Sequence, residues 1–305
     1  MAATPVIIDT DPGTDDAIAL LMALGSPALE VLAVTTVGGN AHLSRATANA
    51  LRILEYMGRT DIPVAPGAGR PLHGKFTYAY DFHGPGGLGV ALPRPTTATA
   101  AERAVQLMAR IFRERPGQVT LIALGPLTNV ARLMQQHPEV IPLIPHMVVM
   151  GGAVEVPGNI TPYAEFNFYN DPWAAQKVLS CGVPITLVDL SVCRRVLITR
   201  GGLGPLTQGG RAAQQASRVL YRWFQGHPQR DAYDLCDPLA MAVAMEPGLL
   251  ATQPAMVSVE THAPERLGQT VLTGRPGHVR VPTGVDVPSF FHLMFKALGA
   301  SGQGA

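Results

Sequence analysis

The stretch Val6-Ile7-Ile8-Asp9-Thr10-Asp11-Pro12-Gly13-Thr14-Asp15-Asp16 decides the fold, because it joins an apolar run to a run of acids. The apolar residues before Asp9 are typical of a buried strand, and Pro12-Gly13 marks a tight turn. The apolar run from Ala17 to Leu24 then predicts a helix whose first turn carries Asp15 and Asp16. The positive end of a helix dipole favours anions at that point. A strand, turn and helix in this order predict a βα unit.

The four aspartates of this segment lie within eight residues. Asp9 and Asp11 are two positions apart, so we expect them on the same side of the strand end. Two carboxylates about 5 Å apart repel by roughly 3 kcal/mol at an effective dielectric near 20, so the group needs a cation or protons. Oxygen ligands of this kind suit Ca²⁺ or Mg²⁺. An EF-hand does not fit, because Gly13 stands at the third ligand position and the loop follows a strand. A helix cap with solvated neighbours is the ordinary alternative.

Composition limits the classes of function. The chain has 305 residues, of which 47% are hydrophobic and 15% charged, and its net charge is +1. This balance gives no electrostatic reason to expect a nucleic acid or membrane partner. The three cysteines form no paired framework, and the N-terminus shows no signal peptide, so we expect a reducing, cytoplasmic setting.

Strand-like and helix-like segments alternate along the chain. Predicted strands are Pro5–Ile8, Val31–Val37, Val119–Leu124, His146–Met150 and Pro184–Val188; predicted helices are Asp15–Leu24, Leu43–Met57, Ala101–Arg113, Leu127–Gln136, Trp173–Ser180, Arg211–Phe224, Leu235–Met245 and Val287–Leu298. This alternation predicts a single α/β domain over residues 1–305, with a mostly parallel open sheet of Rossmann-like type flanked by helices. Residues 255–261 and 269–273 predict a small antiparallel C-terminal addition. Residues 67–95 predict a long binding loop, and residues 201–210 a flexible connector.

Polar or glycine-rich residues follow the predicted strands. In open α/β sheets, ligands bind beyond the carboxyl ends of the strands. The segments are Gly38-Gly39-Asn40, Leu124 to Asn129, Gly151-Gly152 with Asn159, Glu165 and Asn167, and Asp237 at a helix start. Amides and carboxylates without basic partners suit the hydroxyls of a sugar better than a phosphate.

These residues resemble a known family. Asp9-Thr10-Asp11-Pro12-Gly13-Thr14-Asp15-Asp16-Ala17 is similar to the N-terminal signature of the nucleoside hydrolases, the inosine–uridine-preferring N-ribohydrolases. Other matching segments follow in family order over almost the whole chain: Gly39-Asn40, His83-Gly84, Leu124 to Asn129, Met150-Gly151-Gly152, Glu165-Phe166-Asn167, Asp171-Pro172 and Asp237-Pro238-Leu239-Ala240.

The resemblance implies a Ca²⁺-dependent enzyme that hydrolyses the N-glycosidic bond of ribonucleosides to ribose and free base. It places calcium on Asp11, Asp16, Asp237 and the backbone carbonyl of Leu124, and it makes Asp11 the base that activates a metal-bound water. It implies a substrate-binding set of Asp15, Asn40, Met150, Asn159, Glu165, Asn167 and Asp237, although a methionine at position 150 is typical of core lining. It gives Asp9 a supporting role beside the metal. It also implies a homodimer or homotetramer.

One residue departs from the better-known members of the family, which carry a histidine where this chain has Cys236; a subgroup shares the cysteine. A neutral thiol is a poor proton donor. Cys236 is therefore either part of the catalytic set with Asp11 and His83 or a small wall residue, and both interpretations stay open. Tyr221, Trp223 and Tyr233 are candidates for stacking on the base, although the helical spacing of Trp223 favours core packing.

Other classes of protein share parts of this pattern. A haloacid-dehalogenase-like phosphatase with Mg²⁺ also carries Asp-x-Asp after its first strand, but it leaves Asp15 and Asp16 unexplained. A non-catalytic nucleoside sensor on the same fold is the second alternative, and a structural calcium protein the third.

Overall fold

The computed structural model describes residues 2–90, 92–273 and 276–301. The strands are β1 (Thr4–Thr10), β2 (Leu29–Thr36), β3 (Val64–Pro66), β4 (Thr120–Ala123), β5 (Met147–Met150), β6 (Ile185–Val188), β7 (Leu197–Thr199), β8 (Ala232–Asp234), β9 (Leu250–Ala255), β10 (Val257–Val259), β11 (Thr270–Leu272) and β12 (Val279–Val285). The helices are α1 (Thr14–Gly25), α2 (Leu43–Met57), α3 (Tyr80–His83), α4 (Ala104–Glu114), α5 (Thr128–Gln136), α6 (Phe166–Asn170), α7 (Pro172–Leu179), α8 (Leu190–Cys193), α9 (Gly204–Thr207), α10 (Arg211–Gly226), α11 (Cys236–Met245) and α12 (Val287–Ala297).

The main sheet has the strand order β3-β2-β1-β4-β5-β6-β12-β9 in the part of the chain that the structure describes. Neighbouring strands run parallel, apart from β9, which is antiparallel to β12 at one edge. The chain moves outward from β1 in one direction and, after β3, returns to build β4, β5 and β6 on the other side. The order therefore reverses between β1 and β4, and such a switch point is where open α/β sheets bind ligands.

Alternating side chains of β1 build the two faces of the core. Val6 and Ile8 pack into the cluster formed with α1, α10 and α11, and Ile7 packs on the opposite face with α4 and α5. This period of two is the expected pattern for a strand buried on both faces. The central position of β1 places the acids that follow it at the switch point.

The predicted fold class is confirmed: a mostly parallel sheet lies between helices, with the small antiparallel pair β10 and β11 near the C-terminus. Two local expectations need correction. Residues 201–210 were expected as a flexible connector but form a short 3₁₀ helix, Gly201–Leu203, followed by α9. The long loop of residues 67–95 contains α3. Among the described residues, no helix combines the length and apolar character that a membrane crossing requires.

Candidate active site

Asp16 is the anchor of the turn between β1 and α1. Its Oδ1 accepts the Thr10 hydroxyl and, at 3.2 Å, the Asp11 N–H; its Oδ2 accepts the Gly13 N–H and the Asn40 side-chain amide, each at 2.9 Å. Donors from the end of β1, from the turn and from the segment after β2 therefore converge on one carboxylate. Their agreement fixes the position of Asp16 at the first turn of α1.

Asp11 lies just beyond β1 and is fully buried. Its Oδ2 accepts the Asn40 N–H, while its Oδ1 is buried without a hydrogen-bond partner among the described residues. A side chain at Gly39 or at Gly125 would collide with this carboxylate, so both glycines are required by close approach. A buried carboxylate oxygen without a partner is costly. Asp11 therefore presents an oxygen suited to a ligand that the protein itself does not supply.

Asp11, Asp15, Asp16 and Asp237 form what we call the acid cluster. Carboxylate oxygens of Asp15, Asp16 and Asp237 lie within 4.8 Å of one another. Asp237 stands in the first turn of α11 as Asp16 stands in that of α1, so two helix N-termini meet here. Burial, followed by the charges of Asp15, Asp16 and Asp11, raises the pKa of Asp237 well above its ordinary value.

The same causes raise the pKa values of Asp11 and Asp15. Burial, then the charge of Asp16, raises the pKa of Asp11 strongly and that of Asp15 to about 7. The ion pairs found among the described residues lie elsewhere, and none includes an acid of this cluster. Crowded carboxylates without a basic partner, one of them with an unpartnered oxygen, fit a hard divalent cation.

The ends of β4 and β5 meet at Asn167. The Asn167 side-chain amide donates to the Leu124 carbonyl at 2.7 Å and lies 3.3 Å from the Met150 sulfur. Leu124 was predicted as a carbonyl ligand, and a carbonyl oxygen that accepts one hydrogen bond keeps a second lone pair. The structure thus places three of the predicted residues side by side at the switch point.

Glu165 and Asn159 have different surroundings. Glu165 is buried, and its two carboxylate oxygens accept the N–H groups of Gly152, Asn167 and Phe168 at 3.0, 2.8 and 3.1 Å. Burial raises the pKa of Glu165 to about 7, although these hydrogen bonds lower it. Asn159 lies at the surface, where its side-chain carbonyl accepts the Phe166 N–H at 2.9 Å. Both residues order the start of α6.

Asp9 lies inside β1, and its hydrogen-bond partners differ from those of Asp11. Its Oδ1 accepts the Thr35 hydroxyl at 2.6 Å and the Asn129 amide at 2.8 Å, while its Oδ2 is buried without a partner in the described chain. Burial raises its pKa to about 7. Asp9 thus ties the end of β1 to β2 and α5.

His83 brings the long loop against the acid turn. Its Nδ1 accepts the Thr14 N–H at 3.1 Å, at the start of α1. Burial, with a smaller effect of His227, lowers the pKa of His83 to about 3. The ring is therefore neutral, and because Nδ1 accepts, the proton is on Nε2. In this state His83 orders the loop and can donate one hydrogen bond.

Phe82, Trp223, His227 and Tyr233 form what we call the aromatic wall. The Trp223 ring stacks on His227 with centroids 4.4 Å apart and meets Tyr233 edge-on at 4.5 Å. Phe82 lies 5.3 Å from Trp223 and 5.8 Å from Tyr233. Sequence reasoning singled out Trp223 and Tyr233 but missed Phe82, whose only signal was its place beside His83. Tyr221 is 56% exposed and is not in this wall.

Cys236 opens α11 and is buried beside Cys193. The contact with the Cys193 thiol, then burial, raises the pKa of Cys236 well above its ordinary value. The side chain is therefore a neutral thiol at neutral pH. Sequence reasoning missed Cys193, which carries no motif of its own.

Comparisons with known proteins agree with this architecture. Residues 6–292 match the family described as "Inosine-uridine preferring nucleoside hydrolase". The chain is 39% identical to the pyrimidine-specific ribonucleoside hydrolase RihA of Salmonella paratyphi A, over 97% of this chain and 98% of that protein. Its structure resembles the plant nucleoside hydrolase PpNRh1 with a TM-score of 0.92 and 33% identity, covering 98% and 99% of the two chains. It resembles the purine-preferring ribonucleoside hydrolase of Gardnerella vaginalis with a TM-score of 0.91 and 28% identity, covering 97% and 98%.

The fold and the acid cluster define a class of hydrolase with a mostly parallel sheet between helices and a candidate active site at the sheet's switch point. The chain belongs to the inosine-uridine preferring nucleoside hydrolase family. It is a ribonucleoside hydrolase, an N-glycosyl hydrolase, and the resemblance noted from the sequence is confirmed. The phosphatase alternative is wrong, because the family match covers the segment that suggested it.

Proposed function

We propose that the protein uses Ca²⁺ to hydrolyse the N-glycosidic bond of ribonucleosides to ribose and free base, with Asp11 as the general base. The observation that carries the proposal is the buried, unpartnered Oδ1 of Asp11 inside the acid cluster. A general base must reach the proton that it takes, and an oxygen without a competing donor is free to do so.

Asp11, Asp16, Asp237 and the Leu124 carbonyl would hold the cation. Asp15 could join them, since its carboxylate lies within 4.8 Å of those of Asp16 and Asp237. Carboxylate and carbonyl oxygens are the ligands that Ca²⁺ prefers. A bound Ca²⁺ supplies a lower pKa for water in the site and a positive charge beside the sugar.

The remaining polar residues would bind and orient the ribose. Asp15 and Asp237 belong to the acid cluster, and Asn40 donates to Asp16 within it. Asn167 lies beside Leu124 and Met150 at the ends of β4 and β5. Glu165 and Asn159 are assigned to the same set, although the backbone N–H groups that they accept already use part of their capacity. Carboxylates near the sugar favour the positive charge that develops as the bond to the base breaks.

The base leaves with the electron pair of the C–N bond and takes up a proton, while Asp11 receives one from the attacking water. The Cys236 thiol is neutral, and the neutral His83 ring offers an N–H for a hydrogen bond rather than a cationic acid. We propose that His83 assists departure of the base in this way, and that Cys236 contributes less. A cytoplasmic location and a homodimer or homotetramer complete the proposal.

The test is release of ribose from a panel of ribonucleosides, their 2′-deoxy forms and their 5′-phosphates, with the purified protein and Ca²⁺. We expect release from ribosides alone, loss of activity after prolonged chelation, and recovery with Ca²⁺. The panel also decides the base, which the relatives leave open because they are named as pyrimidine-specific and as purine-preferring. Full activity in protein shown to be metal-free by elemental analysis would reject calcium dependence. No release from any riboside would reject hydrolysis of these substrates and favour the nucleoside sensor.

A further inference from the structure

Asp15 is held differently from its neighbours in the acid cluster. Asp16 accepts four hydrogen bonds and Asp11 accepts the Asn40 N–H. In the described part of the chain, the only side chain that donates to Asp15 is Tyr233, whose hydroxyl lies 2.9 Å from Oδ1. Backbone N–H groups of Asp15 and Asp237 also contribute to Asp15, so Tyr233 is the side chain that orients this carboxylate.

Tyr233 is itself rigidly placed. It lies in β8, where it pairs with Ile198 of β7, and it is only 2% exposed. Its ring meets Trp223 edge-on and lies against Phe82 in the aromatic wall. A tyrosine has few rotatable bonds, so a packed ring fixes its hydroxyl at little cost in entropy. The same side chain thus touches the aromatic wall with its ring and the acid cluster with its oxygen.

We infer that Tyr233 is a positioning residue for ribose recognition: its hydroxyl holds the Asp15 carboxylate in the orientation that accepts a hydrogen bond from a ribose hydroxyl. The inference rests on the proposed function, because it takes Asp15 as a sugar-binding carboxylate. The hydroxyl occupies Oδ1 and would restrain rotation of the carboxylate, so that a ribose hydroxyl would bind at Oδ2. Hydrogen bonds to charged groups are among the stronger ones in proteins.

The substitution Tyr233→Phe keeps the ring and its packing and removes one hydroxyl. The probes are three C-nucleosides: a riboside, its 2′-deoxy form and its 3′-deoxy form. Their glycosidic bond joins two carbon atoms, and this chemistry does not hydrolyse it. Calorimetry on the protein with Ca²⁺ added gives a Kd for each ligand. Dividing the Kd of each deoxy form by the Kd of the riboside gives two ratios. We expect Tyr233→Phe to lower at least one ratio about 10-fold. Purely structural damage would weaken all three ligands equally and leave both ratios unchanged.

Two further variants make the test specific. Tyr56→Phe is the matched control, since it loses a tyrosine hydrogen bond to the Arg211 carbonyl on the surface between α2 and α10 and should change neither ratio. In an Asp15→Asn background, Tyr233→Phe should have no additional effect on the ratio. Unchanged ratios in Tyr233→Phe, or equal effects in the two backgrounds, would overturn the inference.

Turnover of N-ribosides by the wild-type protein is measured separately and tests the proposed function alone. If C-ribosides bind without turnover of N-ribosides, hydrolysis of these substrates is rejected, and the ratios still decide the role of Tyr233. If the wild-type protein binds no C-riboside, or does not discriminate against either deoxy form, the inference is wrong.

Discussion

The acid cluster and the aromatic wall are joined by the hydrogen bond from Tyr233 to Asp15 but are built in different ways. The acids follow β1 or open α11 and are held by backbone N–H groups and short side chains nearby. The aromatic rings come from α3, α10 and β8 and the residues beside them, and packing between distant segments holds them. The position of the acids thus depends mostly on the geometry of the turn and helix starts, and the position of the rings on tertiary packing. The two sides should therefore respond differently to mutation.

Asp11→Ala should produce the largest loss, and the loss should not depend on the base. Removing a general base costs about 10² to 10⁴ in rate, and loss of a calcium ligand adds to it, so we expect at least a 10³-fold fall in kcat with nucleoside binding retained. An aryl riboside with a nitrophenolate leaving group should lose as much as natural ribosides, because its fast departure does not replace activation of water. Steady-state kinetics on both substrates measure this.

The control for Asp11→Ala is Asp61→Ala, which removes an exposed carboxylate paired with Arg59. It should retain wild-type kinetics. Near-normal turnover in Asp11→Ala, or a loss confined to natural ribosides, would contradict the proposal that Asp11 activates water independently of the leaving base.

The buried acids should make the stability of calcium-free protein fall as pH rises. Asp9 and Asp15 have a pKa of about 7 in the folded protein against an ordinary 3.8. The folded protein then binds more protons than the unfolded chain between about pH 4 and about pH 7, so stability falls as pH rises through this window. Each group contributes about 1.4 kcal/mol per pH unit. Glu165 acts in the same direction as these acids, whereas the lowered pKa of His83 acts in the opposite one. Urea unfolding at several pH values, with and without Ca²⁺, measures the slope.

Asp9→Asn gives that measurement its matched variant. The amide carbonyl can still accept from Thr35 and Asn129, and the new amide nitrogen replaces an oxygen without a partner in the described chain. In calcium-free protein, the slope of the free energy of unfolding against pH should therefore become shallower by the contribution of one carboxyl group. A slope that is the same in Asp9→Asn, or one that Ca²⁺ leaves unchanged, would show that the acids are not the source.

The same contrast explains what the sequence could predict. The bounds of α2 and the place of Asp15 and Asp16 in the first turn of α1 follow from local periodicity and capping, and both are confirmed. The parallel pairing of β12 with β6 and the contact of Cys193 with Cys236 depend on segments far apart in the chain. Local patterns carry no information about such contacts, so the elements that carry the acids could be predicted, whereas Phe82 and the Cys193 contact could not.

His83→Ala should produce an intermediate loss that depends on the leaving group. The ring accepts the Thr14 N–H and closes the long loop onto the start of α1, and its Nε2–H is free to assist the base. We expect kcat/KM to fall about 10- to 100-fold on natural ribosides and much less on the nitrophenyl riboside. An equal loss on both substrates would show that His83 does not act on the leaving base. It would then contradict our assignment of His83 to departure of the base.

Cys236→Ala should produce the smallest change, within about 10-fold of wild-type kcat on inosine or uridine, whichever is the better substrate. The thiol is neutral because the Cys193 contact and burial raise its pKa, so it is a weak proton donor to a departing base. Truncation removes one small buried group and its packing, which costs stability more than transition-state binding. Cys193→Ala removes the other half of the same contact and controls for that packing loss. If Cys236→Ala instead lost as much activity as Asp11→Ala while Cys193→Ala did not, the thiol would be catalytic. The Cys236 thiol would then act as a proton donor to the base, contrary to its weak acidity.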